Sequence, residues 1–216
     1  MLEFFIAALV IGIAPGPDNL FVLAQSATYG ARLGFCIILG LCTGIAIHTC
    51  LLVAGVSALI AASPTAFFVI QCLGAAYLLY LAYKSFQVRA GTVTLDERTA
   101  GGLQTRDERN VKDESPSARS LYMRGIIMNL TNPKVILFVL SLIPPAVRLE
   151  RPIHPSLQMA IFGGEFILAT MIVFGSIALL AGTVKKFLLT SPKANRNLNW
   201  FSGAVFVFLA VALFMV

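Results

Sequence analysis

The stretch Ala14-Pro15-Gly16-Pro17-Asp18-Asn19-Leu20-Phe21-Val22-Leu23 interrupts an apolar run with two prolines and a glycine, and sets an acid inside it. A counterpart, Thr131-Asn132-Pro133-Lys134-Val135-Ile136-Leu137-Phe138-Val139-Leu140, lies in the other half of the chain. An offset of 117 residues superposes Leu-Phe-Val-Leu on Leu-Phe-Val-Leu and brings a proline break against a proline break. Each break carries one charge, negative at Asp18 and positive at Lys134. Paired Gly/Pro-interrupted apolar segments in two halves of a chain are the sequence pointer to a transporter binding site.

Composition sets the class. Apolar residues make up 58% of the chain and charged residues only 12%, about half the charged share of a soluble domain. Mean hydropathy is +0.86. Apolar runs of bilayer-crossing length recur at 2–24, 33–60, 66–86, 121–147, 157–183 and 198–216. They are long and continuous, unlike the short alternating segments of a β-barrel. The fold class read from this is an all-α integral membrane protein with six transmembrane helices, the first and fourth broken at proline. The start, Met1-Leu2-Glu3-Phe4-Phe5, is acidic and aromatic. A signal peptide wants a basic start, so 2–24 is read as a retained helix.

Residues 88–120 hold twelve of the chain's twenty-six charges and much Gly, Ser and Thr. A segment of that composition buries too little apolar surface to order itself. It reads as a flexible cytoplasmic linker between a first three-helix repeat, 1–87, and a second, 121–216. Three spans per half invert the second half relative to the first, so the expected architecture is a 3+3 inverted-topology repeat. Thirteen of the sixteen Lys and Arg residues are Arg32, six in the linker, Lys84 and Arg124 flanking it, and four in the 185–196 loop; only Arg148 and Arg151 fall on the opposite side, and Lys134 completes the sixteen. The positive-inside rule makes the thirteen-residue side cytoplasmic and puts both termini outside. The net charge of +6 reflects this loop bias, with acids interleaved, and does not indicate nucleic-acid binding.

A charge near mid-membrane costs at least about 2.5 kcal/mol, so Asp18 and Lys134 need compensation. Two readings compete for them: a buried ion pair that only pins helices one and four, or a coupling site where Asp18 exchanges its partner for a proton or a substrate ammonium. Lys134 could instead snorkel to the interface. Half-helix ends at the breaks offer partial charges suited to a zwitterion. Asn19, Asn129 and Asn132 flank the breaks and can satisfy the freed backbone. Candidate substrate-binding or coupling residues are therefore Pro15, Gly16, Pro17, Asp18, Asn19, Asn129, Asn132, Pro133 and Lys134. His48 and Glu165, in equivalent helices of the two repeats, are secondary, and Gln25 and Gln71 weaker still. Cys36, Cys42, Cys50 and Cys72 form no Cys-x-x-Cys and read as small buried hydrophobes. Gly12-x-x-x-Gly16, Gly30-x-x-x-Gly34 and Gly40-x-x-x-Gly44 let helices approach closely, within the monomer or across a homodimer.

These residues resemble the LysE/RhtB family of bacterial amino-acid exporters. The matching features are Pro15-Gly16-Pro17-Asp18, Arg32-x-Gly34, Gly74-Ala75-Ala76-Tyr77-Leu78-x-x-Leu81 and Arg124-Gly125-x-x-x-Asn129-x-x-Asn132-Pro133-Lys134. The resemblance spans all but 88–120, which is longer than the family leads one to expect. It implies a bacterial inner-membrane exporter of basic or small neutral amino acids, driven by the proton gradient. Pro15, Gly16, Pro17, Asn132 and Pro133 are its signature positions; it supports Asp18 less firmly. The expected partners are an amino-acid substrate, protons and the lipid bilayer. No cofactor is expected. The alternative is a divalent-metal exporter, which would want clustered Cys, His or carboxylate ligands at the breaks. An intramembrane enzyme would need a nucleophile–base pair or a His-Glu-x-x-His within the spans, and the sequence has none there.

Overall fold

The fold comes from a computed structural model, which describes residues 2–14, 16–62, 64–87, 116–148, 150–183, 192–212 and 214. Pro15 and most of the 88–120 linker lie outside the described residues. Eight principal helices follow one another among the described residues, with no strand: α1 (Leu2–Ile13), α2 (Pro17–Tyr29), α3 (Ala31–Ala62), α4 (Pro64–Gln87), α5 (Ala118–Thr131), α6 (Pro133–Ala146), α7 (Pro155–Leu179) and α8 (Pro192–Ala212). Helix α5 thus begins within the stretch read as linker.

Five of these helices, α2, α4, α6, α7 and α8, begin at a proline. Proline suits that position, because its fixed φ is helical and the first turn has no use for its missing N–H. Of the prolines that read as breaks, Pro17 and Pro133 are therefore helix starts. The first expected span is α1 and α2 joined at a bend of 63°, and the fourth is α5 and α6 joined at 58°. Two helices are long and apolar enough to cross a bilayer alone, α3 over Ala31–Gly55 and α7 over Pro155–Leu179. Counting each bent pair as one span, the described helices supply up to four crossings. At the remaining two expected positions stand α4 and α8, and α8 carries a shorter apolar stretch, Asn199–Val211.

Glycine contacts join the halves. Helix α3 lies along α5 with Gly40 against Gly125: a Cβ on Gly40 would overlap the Tyr122 carbonyl and stand 2.9 Å from the Gly125 Cα. A Cβ on Gly125 would in turn overlap the Ile37 carbonyl. One turn along, Gly44 makes room for the Asn129 side chain, whose Cβ would otherwise be 2.6 Å away. The Gly40-x-x-x-Gly44 pair is thus used inside the monomer, where small residues let backbones touch. Gly12 meets Val173 of α7, and Gly163 of α7 meets Thr49 of α3. Gly30, at φ +89°, turns the chain from α2 into α3 in a single residue, a conformation that glycine adopts without a Cβ clash.

Aromatic residues fill the centre. Phe4 of α1 stacks at 4.9 Å from Phe162 of α7 and 5.7 Å from Phe138 of α6. Phe138 is 4.7 Å from Phe166. All four are buried, in tilted arrangements that ring quadrupoles favour. To one side α4 pairs with α8 through Phe86 and Trp200, edge to face at 5.9 Å. On α4, Lys84 sits 5.1 Å over the Tyr80 ring, and Tyr77 lies 5.9 Å from Tyr80.

The backbone contact at Gly40 and Gly125 leaves no atom free to yield. Gly40→Ala and Gly125→Ala should each destabilise the protein by about 1–3 kcal/mol. Gly164→Ala, where an added Cβ meets nothing, should change it by less than about 0.5 kcal/mol. Denaturant midpoints in detergent micelles measure this, and equal midpoints for all three variants would contradict the α3–α5 seam.

Candidate functional site

Where α1 stops, its last carbonyls lose their helical partners. Two side chains supply replacements. Asn19 Nδ2, from the first turn of α2, donates to the Gly12 carbonyl at 2.7 Å. Lys134 Nζ, reaching across from the other half, donates to the Ala14 carbonyl at 3.3 Å. Across the site, Asn132 caps α6 by accepting from the Lys134 backbone N–H at 3.0 Å. The same Asn132 donates through Nδ2 to Asp18 Oδ2 at 2.6 Å. Each break is thereby tied to the other: the second sends Lys134 to the first, and the first sends Asp18 to the second.

Helix ends favour these placements. Asp18 sits in the first turn of α2, where the macrodipole stabilises an anion. Lys134 also occupies a first turn, that of α6, which disfavours a cation; its long stem carries the ammonium to the carbonyl-rich end of α1 instead. Both residues are buried, Asp18 at 3% and Lys134 at 7% exposure. They do not bond each other directly: Asp18 is held by Asn132 and Lys134 by Ala14.

Asp18 and Lys134 border one hollow of about 20 Å³, with Asn129 and Thr170 as its other polar walls and Ile11, Ile45 and Phe174 among its apolar ones. That volume holds one water and no amino acid. Asp18 Oδ1 and Asn129 Oδ1 have no hydrogen-bond partner, and neither does Asn19 Oδ1 nearby. A buried acceptor left unmatched costs about 1–3 kcal/mol, so these oxygens are poised for a donor from water or ligand.

The remaining sequence candidates fall into place around the hollow. Gly16 caps α2 in an extended conformation, and a Cβ there would stand 2.9 Å from Lys134 Nζ; glycine is what admits the lysine. Pro17 and Pro133 start α2 and α6 and are themselves exposed, so their part is to shape the break. Pro15 is outside the described residues. His48 of α3, half-buried, touches the site through its Nε2, 3.4 Å from the Asn129 carbonyl. Glu165 of α7 leaves Oε2 buried without a partner, but the hollow is bordered by its neighbour Phe166. The side chain of Gln71 is outside the described residues, and Gln25 is half-buried away from the hollow.

Two polar residues escaped sequence reasoning. Thr170, buried in α7, faces the hollow, and threonine inside an apolar helix carries no positional signal because it can satisfy itself on the preceding turn. Gln158, also buried, holds the α6–α7 connection: its Oε1 accepts from the Arg148 N–H at 3.1 Å, and its Nε2 donates to the Arg148 and Ile153 carbonyls at 2.9 and 2.8 Å.

Known proteins share this chain's sequence along its length. It is 29% identical over 210 residues to the homoserine/homoserine lactone efflux protein of Salmonella typhi, covering 97% of this chain and 93% of that one. It is 30% identical over 186 residues to the membrane protein YrhP of Bacillus subtilis, covering 86% and 84%, and 29% identical over 209 residues to a membrane protein of Vibrio cholerae, covering 95% and 92%. No solved structure matches. The family described as LysE type translocator matches residues 9–216, and the chain, a membrane protein with two tied half-helix breaks, belongs to that family.

Proposed function

We propose that this protein is a secondary active transporter that exports an amino acid or a close derivative across the bacterial inner membrane, using the proton gradient. The observation that carries the reading is the shared hollow between the two breaks, with a carboxylate oxygen and an amide oxygen unmatched on one side and an ammonium on the other. A zwitterion offers the complementary groups: its ammonium suits Asp18 and Asn129, its carboxylate Lys134. The relative named for efflux of homoserine and its lactone points to the same solute class.

The architecture behind the proposal is six spans in two inverted repeats, with α1–α2 matching α5–α6, α3 matching α7, and α4 matching α8. The similar bends, 63° and 58°, support it. At about 20 Å³ the hollow is closed to substrate. Transport then requires the breaks to part, toward one side and then the other, with Asp18 taking a proton when no substrate ammonium holds it. A divalent-metal exporter would need several ligands here, and among the residues bordering the hollow only Asp18 is an acid, cysteine or histidine.

Asp18→Asn preserves shape and the bond to Asn132 but removes the charge. A charged hydrogen bond is worth about 1.5–3 kcal/mol, so gradient-driven efflux from vesicles should fall roughly ten- to hundredfold while membrane abundance stays level; undiminished efflux removes Asp18 from the cycle. Lys134→Met should block transport as well and also lower stability by about 1–3 kcal/mol, because the Ala14 carbonyl loses its partner. For orientation, Gly101→Cys should react with a membrane-impermeant maleimide only from the cytoplasmic side and Glu150→Cys only from outside, in a chain whose four native cysteines are replaced. The reverse pattern would invert the topology.

A further inference from the structure

A second cavity, about 400 Å³, lies along the same α3–α6 seam as the polar hollow. Its walls are His48, Leu52 and Gly55 of α3 and Ile136, Val139 and Leu140 of α6. Ile45 borders the hollow while His48 and Leu52 border the larger cavity; spaced three and seven residues on, they share one face of α3. On α6, Val135 borders the hollow and Val139, one turn on along the same face, the larger cavity. The two spaces are therefore consecutive along one seam. His48 stands at the junction: its Nε2 is 3.4 Å from the carbonyl of Asn129, whose side chain borders the hollow. A carbonyl only accepts, so Nε2 carries the hydrogen in this contact.

We infer that this cavity is the side-chain compartment of the transport site, and that the protein selects amino acids with uncharged, apolar side chains. The inference rests on the export reading above. The head group is held by Asp18, Asn129 and Lys134 when the breaks part, and the side chain passes His48 into the α3–α6 cavity. Among the described residues no acid borders that cavity, so a lysine or arginine side chain finds no counter-charge there, whereas a branched aliphatic one meets mainly aliphatic walls. The volume falls within the range of small-molecule pockets. Leu51 marks its outer rim and is 64% exposed, which gives the cavity a lateral mouth. A lipid acyl chain is the rival occupant; it would have no use for the polar link through His48 to the head-group site.

The test is counterflow in proteoliposomes with the full chain, loaded with unlabelled alanine, leucine or lysine and presented with labelled alanine outside. Leucine should drive exchange at least about tenfold more effectively than alanine, the discrimination that added methylenes bring in an apolar pocket, and lysine should drive it least. Gly55 borders the cavity and an added Cβ there meets no neighbour, so Gly55→Phe fills the space without touching the head-group residues. In that variant the preference for leucine over alanine should vanish; Gly164→Ala, at a glycine that borders neither space, should behave as the parent. Alanine exchange with no leucine preference, or with lysine preferred, overturns the side-chain compartment and leaves export standing. A leucine preference that survives Gly55→Phe in protein of parental thermal stability also overturns it and gives the cavity to lipid. If no amino acid exchanges in the parent protein, the export reading falls, and this inference with it.

Discussion

Two side chains that cross between the breaks hold this molecule's centre together. Lys134 ends on the Ala14 carbonyl, and Asp18 ends on the Asn132 amide. Neither contact is ornamental in a bilayer, where water is absent and each helix end must find a partner from the protein itself. The first break lacks a side-chain cap of its own at Gly16. At the other end of that break the Ala14 carbonyl takes a donor from Lys134, and the absence of a Cβ at Gly16 lets the ammonium come close. The second break caps itself with Asn132 and uses that residue's other end to hold Asp18. Two helix interruptions that would each be costly alone thus complete one another.

Much of this was legible in the sequence because proline, glycine and buried charge are rare and specific signals in an apolar chain. The two breaks, their charges, and the asparagines beside them could all be picked out by residue. Which atom meets which could not. Spacing along a helix tells which residues share a face but not which helix that face will meet, so a direct Asp18–Lys134 pair is only one of the readings it allows, and each instead bonds a neutral partner. Pro17 and Pro133 read as interruptions of a span; each begins a helix, as Pro64, Pro155 and Pro192 do elsewhere. The docking of Gly40 on Gly125 was equally hidden, since a small-x-x-x-small pattern announces a close approach without naming what approaches. Thr170 and Gln158 left no trace because single polar residues in apolar helices are common and usually satisfied locally.

On the reading inferred above, the site divides into a polar part too small for a solute and an apolar part large enough for one. The polar part keeps three buried oxygens unmatched, which a finished structural core would not do. Its tightness comes from the ties themselves: a donor long enough to reach from α6 to the end of α1 also draws those ends together. Any solute that competes for Lys134 or Asp18 therefore loosens the structure as it binds, which is how differential affinity shifts a conformational equilibrium.

The seam of Gly40 on Gly125 restricts which pieces can move. It welds a helix of the first half to a helix of the second with backbone against backbone, and a weld of that kind tolerates neither sliding nor tilting by a full side-chain width. A see-saw of one half over the other would have to tear it. The helices are instead interrupted at residues 16 and 132, between rods bent by 63° and 58°. On the export reading proposed above, the α3–α5 pair is the stator of this machine, and the short rods α1 and α6 are its moving arms.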